Sequence, residues 1–332
     1  MKEKFSMKKY TSRVAAVLLA ILMVVSAAVP TFALGFLMPG EEDGPTVTSV
    51  SEPKVVDENG TKKVVKTTTY SDGTTKDDVD TGFTGIKTSG NSGYYFKDGV
   101  ESKSTNGKIK YNRGTYTIKN GKVTGVKFSV PKVNQMPRYL TGCEAAASAS
   151  LLQFYGYNVT VDDMVNYIPR EDVVTRNGKR YGPSIYEKFA GNPRGGYTSK
   201  HPGYGAFAPV VTKAMNHAIQ DRDGKYKAVD ITGSSTSDLY REHMKGHPCF
   251  VWATYNMETP DKVNSWYVKD SNGNYKYFSY PRGTHTMILY GFDANNVYVM
   301  DPYGGEYKPF PRSSFASKYK LLKKMAIEIQ KA

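Results

Sequence analysis

The distribution of apolar and polar positions divides the chain into stretches of different character. Residues 14–29 form an apolar run behind the bases Lys2, Lys4, Lys8, Lys9 and Arg13. From Thr46 to Phe128 no apolar position recurs at helical spacing. Instead, β-branched and aromatic runs (Val64-Val65, Tyr94-Tyr95-Phe96, Lys108–Tyr111, Thr115–Ile118) alternate with Asn59-Gly60, Asp72-Gly73, Asp98-Gly99, Asn106-Gly107 and Asn120-Gly121. Asn, Asp and Gly tolerate the positive φ of tight hairpin turns, so a polar β-hairpin region is expected over 46–128. Within it, Thr67–Ser92 is so rich in Thr, Ser, Asp and Gly that partial disorder is expected.

Beyond residue 128 the pattern becomes mixed, and an α+β arrangement follows. A strand is expected at Val130–Val133, and a helix from Thr141 to Tyr155 ended by Gly156. Thr141 and Glu144 have capping-box spacing, which makes Thr141 the N-cap and Cys143 the second helical residue. Further helices are expected at Thr160–Tyr167, closed by Pro169, at Pro209–Ile219 and at Ser237–Lys245. Asn177–Gly205 is a long Gly- and Tyr-rich connection suited to walling a cleft. The apolar strand Cys249–Tyr255 follows, then aromatic strands joined at Asn272-Gly273. Thr284–Phe292 and Val297–Pro302 read as an antiparallel hairpin turned at Asp293–Asn296.

The basic and apolar start, with Thr31-Phe32-Ala33 as a small-residue cleavage site, reads as a signal peptide over 1–33, followed by a flexible leader over 34–45. A secreted, extracellular or envelope-associated protein is expected, with no membrane span once the signal is removed. Of the net charge of +14, about +10 lies beyond the signal. It is dispersed among Thr, Gly and Tyr, which argues against a nucleic-acid groove and allows weak association with an anionic cell envelope. Gly93–Gly99 and Gly114–Gly121 share a glycine, aromatic strand and turn pattern that loosely resembles bacterial cell-wall-binding hairpins. Two cysteines do not make a disulfide scaffold, although one Cys143–Cys249 bridge is arithmetically available.

Candidate chemistry centres on Cys143. A thiol in the first turn of a helix sits at the positive end of the dipole, which favours the reactive thiolate. His285 and Asp301 lie toward one end of the same predicted hairpin, staggered by a few residues. An Asp holding one ring nitrogen of His285 would leave the other free to take the thiol proton. Taken singly, each residue has a plainer reading: Cys143 as a packed core thiol, His285 as a core histidine, Asp301 as a turn residue before Pro302, Gln135 as a surface amide. His243 and His247 have i, i+4 spacing, but Gly246 and Pro248 break the helix needed to align them. Neither a metal site nor a cofactor is therefore expected.

Gln135 through Cys143, Gly283-Thr284-His285-Thr286-Met287 and Asp301-Pro302-Tyr303 together resemble the cysteine peptidase family 39, the bacteriocin-processing type, in its stand-alone secreted bacterial branch. The resemblance spans roughly Val130–Ile329. It implies a papain-like cysteine peptidase (thiol protease, hydrolase) over 129–332, with the nucleophile helix packed on an antiparallel sheet. It further implies Cys143 as nucleophile, His285 as general base, Asp301 as orienting residue and Gln135 as oxyanion donor, acting on a peptide or protein substrate. The exporters' membrane and ATP-hydrolysing parts have no counterpart here, so cleavage of double-glycine leaders is not inherited. The alternatives are a cell-wall amidase or acyltransferase built on the same triad, and a non-catalytic envelope-binding protein with a Cys143–Cys249 bridge.

Overall fold

A computed structural model describes residues 44–332, and Val47–Ala332 forms one compact unit. The expected signal peptide and residues 34–43 of the leader lie outside the described residues. A sixteen-stranded antiparallel sheet runs through the unit. Its main path places Thr61–Tyr70, Val100–Glu101, Ser92–Lys97, Lys122–Phe128, Thr284–Phe292, Cys249–Thr254, Ala326–Lys331 and Tyr226–Asp230 side by side. Among the described residues, helices α1 (Cys143–Phe154), α3 (Ala208–Gln220), α4 (Thr236–Lys245) and α5 (Arg312–Leu321) pack against it, and α2 (Val161–Tyr167) packs on α1 and α3. This mixed, mainly antiparallel architecture is a papain-like α+β fold.

The hairpin-rich front joins the rest through the sheet itself. Val126 and Lys127 pair with Phe292 and Gly291, taking the edge beyond Cys249, where the neighbouring strand begins. The front also packs on helices: Tyr116 donates to the His243 carbonyl at 3.4 Å, and Arg113 to the Phe154 carbonyl at 3.1 Å. The expected disorder over Thr67–Ser92 is corrected by the strands Thr75–Val79 and Gly85–Ser89. Backbone pairing with Thr61–Tyr70 and Ser92–Lys97 holds these polar residues, which need not supply a core of their own. Asn59, Asp98 and Asn120 take the positive φ that their turns require.

Val130–Val133 is not a strand. Pro131 has no N–H to give a ladder, and the carbonyls of Val130 and Pro131 accept side-chain bonds from Tyr307 and Ser150 instead. The Asn177–Gly205 connection contains the short strands Lys179–Tyr181, Phe189–Gly191 and Gly203–Gly205. Gly191, at φ +86, lies so close to Pro202 that a Cβ would fall 1.9 Å from its carbonyl oxygen.

Helix α1 is buried on nearly every side. Its Ala145, Ala146, Ala147 and Ala149 allow close approach to neighbouring elements, as expected of a central helix without a polar face. It packs against Thr284–Phe292, which is buried along almost its whole length. Cys249–Thr254 forms the other side of this centre, pairing with Thr284–Leu289 and with Ala326–Ile327. Phe250 there is fully buried. Replacing Phe250 with Ala is expected to cost about 3–5 kcal/mol, the sum of lost burial and the cavity left behind. Urea unfolding followed by fluorescence measures this, and a loss under about 1 kcal/mol would show that the strand is not central to the core.

Candidate active site

The nucleophile candidate opens α1, but not as the capping pattern indicated. Gly142 is the N-cap, without a side-chain capping bond, and Cys143 is the first helical residue. Thr141 turns away and donates to the Gly195 carbonyl at 2.8 Å, fastening the helix start to the Gly-rich connection. Glu144 turns inward and is 3 % exposed. One of its oxygens accepts the Ala206 N–H at 2.8 Å, and the other accepts the Cys143 thiol at 3.4 Å. The capping expectation failed because a tertiary partner took each side chain: a loop carbonyl for the hydroxyl, a loop N–H for the carboxylate.

These contacts also reverse the expected charge state of the sulfur. Burial pushes the Cys143 thiol well above its ordinary value, and the adjacent Glu144 carboxylate pushes it further. Burial likewise raises Glu144. The N-terminal end of the helix dipole is worth about 0.3–1 kcal/mol at an exposed site, too little to outweigh removal of an anion from water. Burial and the Glu144 carboxylate both favour the protonated thiol over the thiolate that a first-turn position alone suggested.

His285 and Asp301 meet across the hairpin. The ladder pairs Ile288 with Met300, which puts Asp301 opposite Met287 and leaves His285 two residues further along the same face. Diagonal neighbours of this kind are within reach of long side chains. His285 Nε2 lies 2.6 Å from Asp301 Oδ1, leaving Nδ1 as the ring nitrogen not engaged by the carboxylate. Asp301 is fully buried yet well supplied with donors: the Tyr303 N–H also reaches Oδ1, at 2.9 Å, and Lys308 Nζ reaches Oδ2 at 2.7 Å. Burial alone would raise its pKa, but His285 and Lys308 draw it below the ordinary value. The Tyr255 ring stands edge-on to the imidazole, with centroids 5.6 Å apart.

Gln135 is buried beside these groups, its backbone N–H bonded to the Pro302 carbonyl at 2.9 Å. That bond ties the segment leading to Cys143 directly to the turn carrying Asp301. The Gln135 side-chain Nε2 donates to the Tyr139 carbonyl at 3.0 Å and, more weakly, to that of Leu140 at 3.4 Å. Gln135, Cys143, Glu144 and His285 line one pocket of about 220 Å³, with Tyr197 and Tyr204 from the Gly-rich connection on its wall. A neighbouring polar pocket of about 290 Å³ shares Tyr255 and Gly283 with it and is lined by Glu258, Asp261, Lys262 and Arg282.

The structure thus places Gln135, Cys143 and His285 around one cavity, with Asp301 bonded to His285 behind its wall. Sequence reasoning missed Glu144 as a neighbour of the sulfur, and Lys308 and Tyr255 as neighbours of the acid and the imidazole. Glu144 was visible, but its i+3 relation to Thr141 pointed to a local partner; Lys308 stands in an ordinary polar strand and carries no local signal. Cys249 is excluded from the site by register. It lies four residues along its strand from Ala253, the partner of His285, or roughly 13 Å away. Both cysteines are free, and the bridge offered by the cysteine count is not formed.

Known proteins share this arrangement of elements. YvpB of Bacillus subtilis, an uncharacterized protein, is 31 % identical over 201 residues, covering 60 % of this chain and 73 % of its own. A crystal structure of a Bacillus anthracis protein assigned as a C39-like peptidase superposes with a TM-score of 0.52 at 26 % identity, over 61 % of this chain and 96 % of that one. The segment matched by the Peptidase_C39 like family runs from residue 127 to 327 and takes in every site residue described above, so the chain belongs to that family.

Proposed function

We propose that the protein is a secreted cysteine peptidase that hydrolyses peptide bonds through Cys143, His285 and Asp301. The observation that carries this reading is the His285–Asp301 bond of 2.6 Å, bordering the pocket that also holds the Cys143 sulfur. Asp301 fixes the imidazole with its Nδ1 available as a base, and Lys308 keeps Asp301 ionised by bonding its second oxygen. The second pocket beyond Tyr255 and Gly283 gives an extended peptide polar surface on one side of the reacting bond. The basic and apolar pattern of residues 1–33 supports export. Among the described residues no helix is long and apolar enough to cross a membrane.

A neutral resting thiol sets the order of events. His285 takes the proton as the sulfur attacks the substrate carbonyl, and the imidazolium then protonates the leaving amine. The acyl-enzyme is resolved by a water that His285 deprotonates in turn. Negative charge developing on the carbonyl oxygen needs donors already in place. The free N–H groups at the start of α1 supply one, and Gln135 Nε2 supplies another by giving up its weaker contact with the Leu140 carbonyl.

Cys143→Ala and His285→Ala are each expected to abolish cleavage of a peptide library by the mature chain, with peptide binding retained. Turnover in either variant above about one part in a thousand of wild type would remove the triad from the mechanism.

Gln135→Ala is expected to lower kcat by about 10²–10³ with little change in KM, because its contact strengthens only as charge develops. Steady-state kinetics separates the two parameters. A change confined to KM would assign Gln135 to ground-state binding.

In the absence of substrate, Cys143 alkylation by iodoacetamide is expected to accelerate as pH rises from neutral into the alkaline range, without a plateau near neutrality. The sign follows from a raised thiol pKa, which keeps the thiolate scarce until pH is well above neutral. Glu144→Gln removes a negative neighbour and shifts the profile to lower pH. Mass spectrometry of the labelled peptide reads both, and rapid labelling of wild type at pH 5–6 would establish a preformed thiolate–imidazolium pair instead.

A further inference from the structure

A second group of chemistry-bearing side chains lies at the other end of the Cys249–Thr254 strand. Helix α4 ends at Gly246, whose φ of +107 lets the chain double back. The His247 N–H then bonds the Glu242 carbonyl at 3.0 Å, and the His247 ring folds over the Glu242 side chain with Nδ1 3.4 Å from Oε2. Glu328 comes from the last strand, which pairs with Cys249–Thr254 through Phe250 and Ile327. One ligand atom from each of Glu242, His247 and Glu328 lies within 4.8 Å of the others.

Two features distinguish this cluster from a surface ion pair. Glu328 is 4 % exposed; Gln330 donates to its Oε1, while no N–H or hydroxyl donor reaches its Oε2, and its carboxyl has that of Glu242 as neighbour. A buried carboxylate oxygen without a donor is costly, and a bound ion or water is one way to satisfy it. Glu242, with 12 % of its side chain exposed, faces it with a second carboxylate. Lys245 neutralises only the Oε1 side of Glu242, at 2.8 Å, leaving Oε2 toward His247.

We infer that Glu242, His247 and Glu328 form a zinc site separate from the thiol pocket, binding Zn²⁺ through two carboxylates and one imidazole. The donor set suits zinc, which accepts His nitrogen and carboxylate oxygen together, whereas Ca²⁺ and Mg²⁺ take oxygen ligands. The 3.4 Å between His247 Nδ1 and Glu242 Oε2 is the edge of a tetrahedron with corners about 2.1 Å from its centre. A pocket of about 220 Å³, lined by His247 together with Tyr155, Arg113, Lys245 and Lys331, opens on the His247 side of the cluster. His243, the apparent partner of His247 in the sequence, faces elsewhere, its ring nitrogens each 2.7 Å from the carbonyls of Leu239 and Leu289. A bound ion would clasp the end of α4 to the C-terminal strand.

The test uses the full chain carrying Cys143→Ala, which removes the thiol of the other site, freed of metal by dialysis against a chelator and then against metal-free buffer. Titration with Zn²⁺ alone in a calorimeter is expected to show a single ion per chain, and the unfolding midpoint is expected to rise with Zn²⁺ concentration. His247→Ala and Glu328→Gln should each weaken binding at least about tenfold, the smaller loss seen when a mere supporting partner of a metal site is removed. His247 has a side chain 32 % exposed, so its variant keeps the test decisive even where the buried Glu328 substitution impairs folding. X-ray absorption on the zinc-loaded chain should show nitrogen and oxygen donors only. Failure to take up zinc, uptake indifferent to His247→Ala, sulfur in the coordination shell, or an equal response to Ca²⁺ would each overturn the assignment.

Discussion

A buried charge that must be neutralised governs the structure around the site. Asp301 has no solvent contact, so its carboxylate persists only because His285, the Tyr303 N–H and Lys308 all donate to it. Each partner comes from a different piece of chain, and satisfying one acid therefore fixes three things together. The imidazole is held to a single orientation, the turn after Asp301 is closed, and the strand carrying Lys308 is set in register with it through the Asp301–Glu306 pair. Gln135 joins the same arrangement through the Pro302 carbonyl, so the segment leading to the thiol is placed by the geometry of the acid.

The thiol is governed by the opposite circumstance. It is buried at the start of a helix and faces a carboxylate, not a cation, and both circumstances favour its protonated form. Glu144 is in turn anchored to the Ala206 N–H, and the Ala206 carbonyl accepts the Trp252 indole N–H at 3.1 Å. The charge beside the sulfur is thus tied to the connection walling the pocket and to the central strand behind it.

The hairpins of the front region, helices α1 to α4 and the His285 strand were legible because each rests on short-range signals: turn dipeptides, 3.6-residue periodicity and alternation; α5 was not read. The relation of His285 to Asp301 was legible almost to the residue, since an antiparallel hairpin converts sequence order into neighbourhood. What the sequence concealed depended on partners far along the chain. Thr141 and Glu144 have a sound local rule in common, but Gly195 and Ala206 compete for them in the fold. Val130–Val133 has strand-like residues, but its carbonyls are claimed by Ser150 and Tyr307. Glu328 gave no hint of meeting Glu242 and His247, because that meeting is set by strand order in the sheet.

Keeping the Cys143 sulfur protonated and enclosed has a chemical consequence besides slowing its attack. Peroxide oxidises thiolates far more readily than thiols, and the first product, a sulfenic acid, proceeds irreversibly to higher oxides unless a second thiol intercepts it. Cys249 is too remote to act as that interceptor. As the proposed nucleophile, Cys143 has no resolving partner, and burial together with the carboxylate beside it limits such oxidation by favouring the protonated sulfur.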